Sequence, residues 1–294
     1  MVVATDQLPR PGETVLGNDF LMTGGGKGAN QAVAAARLGA TVFMVASLGQ
    51  DLFGDAASAS LLAETIDCRH VNQNSNKASG VALISVDNNG ENQIVVAPGA
   101  NNALSEQDVA IALASLPDHA LVLIQLEIPM ATVNHAVKIA ARKKCRIILD
   151  PAPAQALDDT MLKQLYLITP NQSEAEVLTG IEVIDVDSAL AAARSLLQRG
   201  PEHVALTMGA EGVLLVNQSH HQLIPAPSVQ AVDTTAAGDC FNGAVAFALS
   251  TGSELSDAVR FGCQAAAMAV TRRGAQSSMP GVMRSIRKLQ LKLL

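Results

Sequence analysis

The chain has 294 residues, 49% of them hydrophobic but only 2% aromatic, with a net charge of -7 and a pI of about 5.3. Its core must be built from Ala, Val, Ile and Leu, which suits helices packed on a parallel sheet of short aliphatic strands. No basic block is long enough to track a phosphate backbone, and no stretch reaches the roughly 18 apolar residues of a membrane span, so the composition argues against nucleic-acid and membrane roles. The amino end lacks the basic-then-apolar order of a signal peptide. The four cysteines, Cys68, Cys145, Cys240 and Cys263, are scattered and form no C-x-x-C pair. That argues against a zinc site or disulfide framework and for a cytoplasmic protein.

The first chemical feature is Gly24-Gly25-Gly26-Lys27-Gly28-Ala29-Asn30-Gln31, which opens a helix predicted over 28–38. Four glycines among five residues let backbone approach a polyhydroxyl ligand or a phosphate closely. The run loosely fits a dinucleotide fingerprint, but Asn18-Asp19-Phe20 occupies the place of the required strand, and Gly28 follows Lys27 where a Walker loop needs Ser or Thr. A strand over 41–47 and a helix over 54–64 follow. Two strands, 79–86 and 93–97, joined by Asp87-Asn88-Asn89-Gly90, read as a hairpin outside the main sheet. Such an appendage is either a lid over the site or a surface ornament or dimer contact.

Strand 121–125 leads to Glu127, an acid placed where a parallel sheet binds ligands. Helix 130–142 and strands 146–150 and 165–169 come next. After the last lies Asn171-Gln172-Ser173-Glu174, whose Asn171 and Glu174 share one face of a helix start. The pair suits a hydrated Mg²⁺, and equally suits a helix cap with Glu174 at the third position. Helices 174–178 and 187–198 precede strands 204–207 and 212–216, joined by Thr207-Met208-Gly209-Ala210-Glu211-Gly212, either a glycine turn or a shelf beneath a nucleotide.

The sharpest segment is Asp233-Thr234-Thr235-Ala236-Ala237-Gly238-Asp239, opening a helix over 238–250. Amides at a helix start favour an anion, small side chains admit a phosphate, and Asp239 is placed to take a proton from a hydroxyl. The plainer alternative is an N-capped helix with Asp233 or Thr234 as the cap. A helix over 255–272 and a basic tail, Arg284, Arg287, Lys288 and Lys292, spaced as a solvated helix face, close the chain. Repeated β-then-α order predicts an α/β fold: a doubly wound, mostly parallel sheet flanked by helices, with a small hairpin lid.

Taken in this order, the segments at 25–31, 171–174 and 233–243 resemble the ribokinase-like family of carbohydrate kinases. Pro11-Gly12-Glu13-Thr14, Pro98-Gly99-Ala100-Asn101, Gln125-Leu126-Glu127 and the run from Thr271 to Gln276 fit it too. The resemblance implies a single kinase domain over 1–294, with lid segments at about 2–20 and 79–98. It implies ATP-dependent phosphorylation of D-ribose at the 5-hydroxyl, with deoxyribose or another small sugar as the alternative. Asp239 would be the base, and Ala236, Ala237 and Gly238 the anion hole. Gly26, Lys27, Gly28, Ala29, Asn30 and Glu127 would hold the sugar. Asn171, Thr207, Met208, Gly209, Ala210, Glu211, Gly212 and Gly238 would lie along ATP, and Glu174 would organise Mg²⁺. A monovalent cation, K⁺, would sit among Asp233, Thr235, Ala269, Arg272, Gly274 and Ser278, and the lid would pair two subunits.

The family also places a sugar-gripping central strand before its lid, ending in an Asn-x-Asp-like stretch, whereas this chain starts at Met1-Val2-Val3. Helix 28–38 is therefore expected beside a gap in the sheet, with weak sugar binding, slow turnover and reduced stability. A binding protein that has lost catalysis is a rival from a different class, and a dehydrogenase a distant third. Position 263 is Cys where some members place a His near adenine.

Overall fold

The computed structural model describes residues 1–88 and 91–281. The basic tail and the Asn89-Gly90 turn lie outside the described residues. In chain order, β1 (Val2–Thr5) and β2 (Gly17–Leu21) lead to α1 (Lys27–Leu38), β3 (Phe43–Gly49), α2 (Leu52–Ala63) and β4 (Asp67–Asn74). Strands β5 (Val81–Val86) and β6 (Asn92–Ala97) form the hairpin, followed by α3 (Glu106–Ser115), β7 (Leu121–Ile124), α4 (Met130–Arg142) and β8 (Arg146–Leu149). Then come α5 (Asp159–Leu162), β9 (Leu167–Ile168), α6 (Gln172–Thr179), α7 (Val186–Gln198) and β10 (His203–Thr207). Strands β11 (Val213–Val216) and β12 (His221–Ile224) and helices α8 (Ala237–Ser250) and α9 (Leu255–Ala269) complete the fold.

The main sheet is ordered β12-β11-β10-β9-β8-β7, with β7 to β10 parallel and β11 and β12 antiparallel. Along β8, Ile147 and Leu149 pack among α3, α4 and α7, while Ile148 packs among α8 and α9. That alternation is the period of a strand buried on both faces. The chain is thus an α/β protein with helices on both sides of a mixed sheet, as expected.

Among the described residues the β3-β4 pair shares no hydrogen-bonded strand with the main sheet. Of the described strands, β3 pairs only with β4, and β7 only with β8, so β3 and β7 each keep one unpaired edge. The helical layers nevertheless run on across both pieces: α3 packs on β3 and on α4, and α1 packs on β3 and on α8, which in turn touches β7. The β7 residues Leu121, Val122 and Leu123 are only half-buried, although β8, one strand inward, has Ile147, Ile148 and Leu149 fully buried.

Several local expectations need correction. Asn18-Asp19-Phe20, read as lacking an aliphatic strand, is part of the exposed strand β2, and the hairpin belongs to a four-stranded sheet ordered β2-β1-β5-β6. Val2 to Thr5, for which no strand is predicted, pairs on both edges there, with β2 and with β5. Strand β4 escaped notice because it is polar; it is an edge strand with one paired side. Helix α3 also escaped, although Ser105 and Asp108 form a capping box at its start. Strand 165–169 shrinks to Leu167–Ile168, and α9 ends at Ala269, three residues early, because the next residues turn to meet the loop before α8.

Candidate active site

Helix α8 starts abruptly. Ala236 has φ 58° and ψ 20°, a left-handed conformation uncommon for a residue with a Cβ, and no side chain caps the helix. The alternative, a cap by Asp233 or Thr234, does not occur. Asp233 is drawn away instead: its carboxylate accepts from Thr235 N at 2.9 Å and from Gly274 N at 2.8 Å. Ala237 N donates to Thr234 O, so of the amides expected at the helix start, those of Gly238 and Asp239 are left facing outward, as first-turn amides must.

The first turn of α8 lies against the first turn of α1. A Cβ on Gly243 would stand 2.5 Å from Gln31 O, so only glycine there lets the two helices cross this closely. The crossing brings Asn30 and Gln31 to Asp239, which is 5% exposed. Asn30 Nδ2 donates to Asp239 Oδ2 at 2.7 Å, and Gln31 Nε2 to Asp239 Oδ1 at 3.1 Å. The same Gln31 nitrogen donates to Asp150 Oδ2 at 2.7 Å, and Gln31 Oε1 accepts from Gln125 Nε2. At the start of α1, where Gly26 has φ 87°, the amide of Lys27 donates to Glu127 Oε2 at 2.8 Å.

A cavity of about 180 Å³ opens beside this network. It gathers Lys27, Asp150, Asn171, Glu174, Thr207 and the turn from Ala236 to Asp239 from five separate segments. Burial works to lower the pKa of the Lys27 ammonium, but Asp239, Asp150, Glu127 and Glu174 outweigh it and hold the pKa above its usual value. Burial raises the Asp239 carboxyl, against the opposing pull of Lys27, Asn30 and Gln31. Burial likewise raises Glu174, opposed by the Asn171 amide and Lys27, and pushes Asp150 up to about 8.

Glu174 and Asn171 form a complete capping box: Asn171 Oδ1 accepts from Glu174 N, and Glu174 Oε2 from Asn171 N, each at 2.8 Å. The capping arrangement and the cavity position therefore coexist. Four acids around one lysine leave an excess of negative charge, and Asn242 Oδ1 is buried in the same wall with no partner. Those donors fit a hard cation that keeps most of its shell as water and phosphate oxygen. No cluster of three or more acidic, His or Cys ligands occurs among the described residues.

The residues expected around a monovalent cation also come together. Asp233 reaches Gly274, Arg272 N donates to Ala269 O at 2.9 Å, and Arg272 Nη1 donates to Ser278 O at 3.3 Å. Each of those carbonyls retains a second lone pair. Of the 207–212 turn only Thr207 lines the cavity. Met208 is buried, Gly209, Ala210 and Glu211 form an exposed turn, and Gly212 packs against Ile224 O. Cys263 is buried, and its thiol is pushed up to about 11. Asp150, Thr169, Thr234, Asn242, Gln31 and Gln125 belong to the site and were missed. The signal for Asp150 was the one used for Glu127, an acid at the carboxyl end of a parallel strand.

A model of the family described as "pfkB family carbohydrate kinase" matches residues 1–281. The chain is 44% identical over 279 residues to ribokinase of Haemophilus influenzae, covering 95% of this chain and 91% of that one. It is 37% identical to deoxyribokinase of Salmonella typhi, covering 96% and 92%. Among solved structures it is similar to Arabidopsis thaliana ribokinase complexed with ribose and ATP, with a TM-score of 0.88, 28% identity, and coverage of 98% and 95%. An uncapped helix start beside a buried carboxylate, and likeness over nearly the full length, agree on one assignment: the chain belongs to the pfkB family of carbohydrate kinases and is an ATP-dependent sugar kinase.

Proposed function

We propose that the chain transfers the γ-phosphoryl group of ATP to the 5-hydroxyl of D-ribose, with Asp239 as general base. The observation that carries this reading is the buried Asp239 carboxylate in the first turn of α8, at a helix start that no side chain caps. The likeness to ribokinases of Haemophilus influenzae and Arabidopsis thaliana supports ribose and ATP as the substrates.

A primary hydroxyl is a poor nucleophile near neutral pH. Burial strengthens Asp239 as a proton acceptor, while Lys27, Asn30 and Gln31 favour its ionised form. Asn30 Oδ1, buried without a partner beside it, is an acceptor for a sugar hydroxyl. Gly26, Lys27, Gly28, Ala29 and Glu127 complete the sugar side. The amides of Gly238 and Asp239 meet charge that gathers on the transferred oxygens, without reorganising during transfer. Asn171 and Thr207, which line the cavity, would lie along ATP. Glu174 and the polar wall around Asn242 would hold Mg²⁺, which supplies charge neutralisation to the phosphates when bound. K⁺ beside Asp233, Thr235, Ala269, Arg272, Gly274 and Ser278 would fix the backbone of the anion hole.

The four-stranded sheet acts as a lid that excludes water, and its apolar face pairs two subunits. Four free cysteines, two of them buried, fit a reducing compartment such as the cytoplasm. The 37% identity to a deoxyribokinase favours deoxyribose as a second acceptor. Release of ADP is measured with ribose, deoxyribose and fructose, with Mg²⁺, in K⁺ and in a bulky organic cation. Turnover with ribose at the highest kcat/KM is the expected result. Binding of ribose and ATP without ADP release identifies instead a protein that has lost catalysis.

A further inference from the structure

The transfer just described uses one of the two carboxylates that Gln31 joins. The other, Asp150, follows β8 and is 5% exposed. One nitrogen of Gln31 serves both acids, at 2.7 Å to Asp150 Oδ2 and 3.1 Å to Asp239 Oδ1, while Gln31 Oε1 accepts from Gln125. An amide nitrogen carries two protons, so each acid takes one and the amide plane is held from three sides. Asp239 is in turn held at both oxygens, by Gln31 and by Asn30. With Asp150 removed, the Gln31 amide keeps only Gln125 and Asp239 and can swing about its last torsion.

We propose that Asp150 is a positioning residue for the phosphoryl transfer: by anchoring the Gln31 amide it fixes the plane of the Asp239 carboxylate. This rests on Asp239 being the base. The charged groups that face Asp150 are Lys27 on α1, Asp239 on α8 and Glu174 on α6. Asp150 needs no contact with substrate for this role, and an uncharged acceptor of the same shape can perform it.

The test compares Asp150→Ala, Asp150→Asn, Gln31→Ala and the double variant Asp150→Ala/Gln31→Ala, each with a melting curve. Asp150→Ala is expected to lower kcat by about 10- to 100-fold, the scale of a misplaced catalytic group, with KM for sugar and ATP nearly unchanged. Asp150→Asn is expected to recover most of kcat, because its Oδ1 still accepts from Gln31. The double variant is expected to match Gln31→Ala, since one effect passes through the other. Parental kcat in Asp150→Ala overturns the proposal. So does an Asp150→Asn variant as slow as Asp150→Ala with a raised Mg²⁺ requirement, which marks a charge acting on a cation. A second readout needs no turnover: the side-chain amide protons of Gln31 exchange slowly with solvent in the parent and faster in Asp150→Ala. Equally slow exchange in both overturns the anchoring role. An inactive parent with this exchange difference overturns the kinase reading and upholds the anchor.

Discussion

Asn30 Nδ2 donates to Asp239 Oδ2 at 2.7 Å, tying α1 to α8 across 209 positions of sequence. The bond holds a carboxylate that solvent barely reaches, at a helix start that no side chain caps. Asp239→Asn leaves the amides in place and removes the proton acceptor. It is expected to lower kcat by about 10² to 10⁴, the usual cost of losing a positioned base, while ATP still binds. Single-turnover kinetics and ATP titration by calorimetry check this, and a kcat within a few-fold of the parent refutes it.

The pH dependence of stability follows from Asp150. Burial raises its pKa to about 8 from 3.8, so the folded chain keeps this proton where the unfolded chain has lost it. Between those values the native state binds more protons than the unfolded state, so stability falls as pH rises, and the loss is complete above about 8. Burial acts in the same direction on Asp239 and Glu174. The melting temperature is expected to fall from pH 5 to pH 8, less steeply in Asp150→Asn, which is isosteric with the protonated acid. Parallel melting profiles for parent and variant count against it.

Asp233 clamps two loops through Thr235 N and Gly274 N. Burial raises its carboxyl, but these hydrogen bonds and Arg273 prevail and hold it below the ordinary carboxylate range. Asp233→Ala is expected to lower kcat and to abolish any advantage of K⁺ over Na⁺ at matched ionic strength. A variant that keeps the parental K⁺ response shows that the cation acts elsewhere.

The register of the four-stranded sheet puts Val3, Phe20, Leu83 and Val95 on one face. They are 36%, 56%, 52% and 65% exposed, an apolar patch suited to a second copy of the chain. Leu83→Glu combined with Val95→Glu is expected to turn a dimer into a monomer in sedimentation velocity. A parent that sediments as a monomer at micromolar concentration disposes of the pairing.

Among the described residues β3 and β7 each keep one edge unpaired, and the helices that pack on the two pieces touch one another. Exposed strand edges and half-buried aliphatic side chains cost stability and invite misassociation. A version carrying an aliphatic strand of about five residues fused ahead of Met1 is expected to melt higher and to bind ribose with a lower KM. Unchanged melting temperature and KM mean that the added strand does not enter the slot.

Much of the local order was legible in the sequence, although α3 escaped despite the local signal of its capping box. The helix at Met130–Arg142 was read to the residue, because its apolar spacing and the turns around it depend only on near neighbours. Glycines at 24–28 and the small residues before Asp239 likewise marked the starts of α1 and α8. What spacing cannot record is which distant group claims a side chain. Asp233 stood where a helix cap belongs, yet its carboxylate goes to Gly274, 41 positions on. Asp150 looked like the end of a strand, and only the crossing of α1 over α8 set Gln31 between it and Asp239. The sequence by itself determined most of the helices and aliphatic strands and the residue types that carry phosphoryl chemistry, since these rest on torsions and on neighbours three or four residues apart. The tertiary structure alone decided the partners and the charge of the buried acids, because hydrogen bonding and burial depend on what the fold brings from elsewhere in the chain.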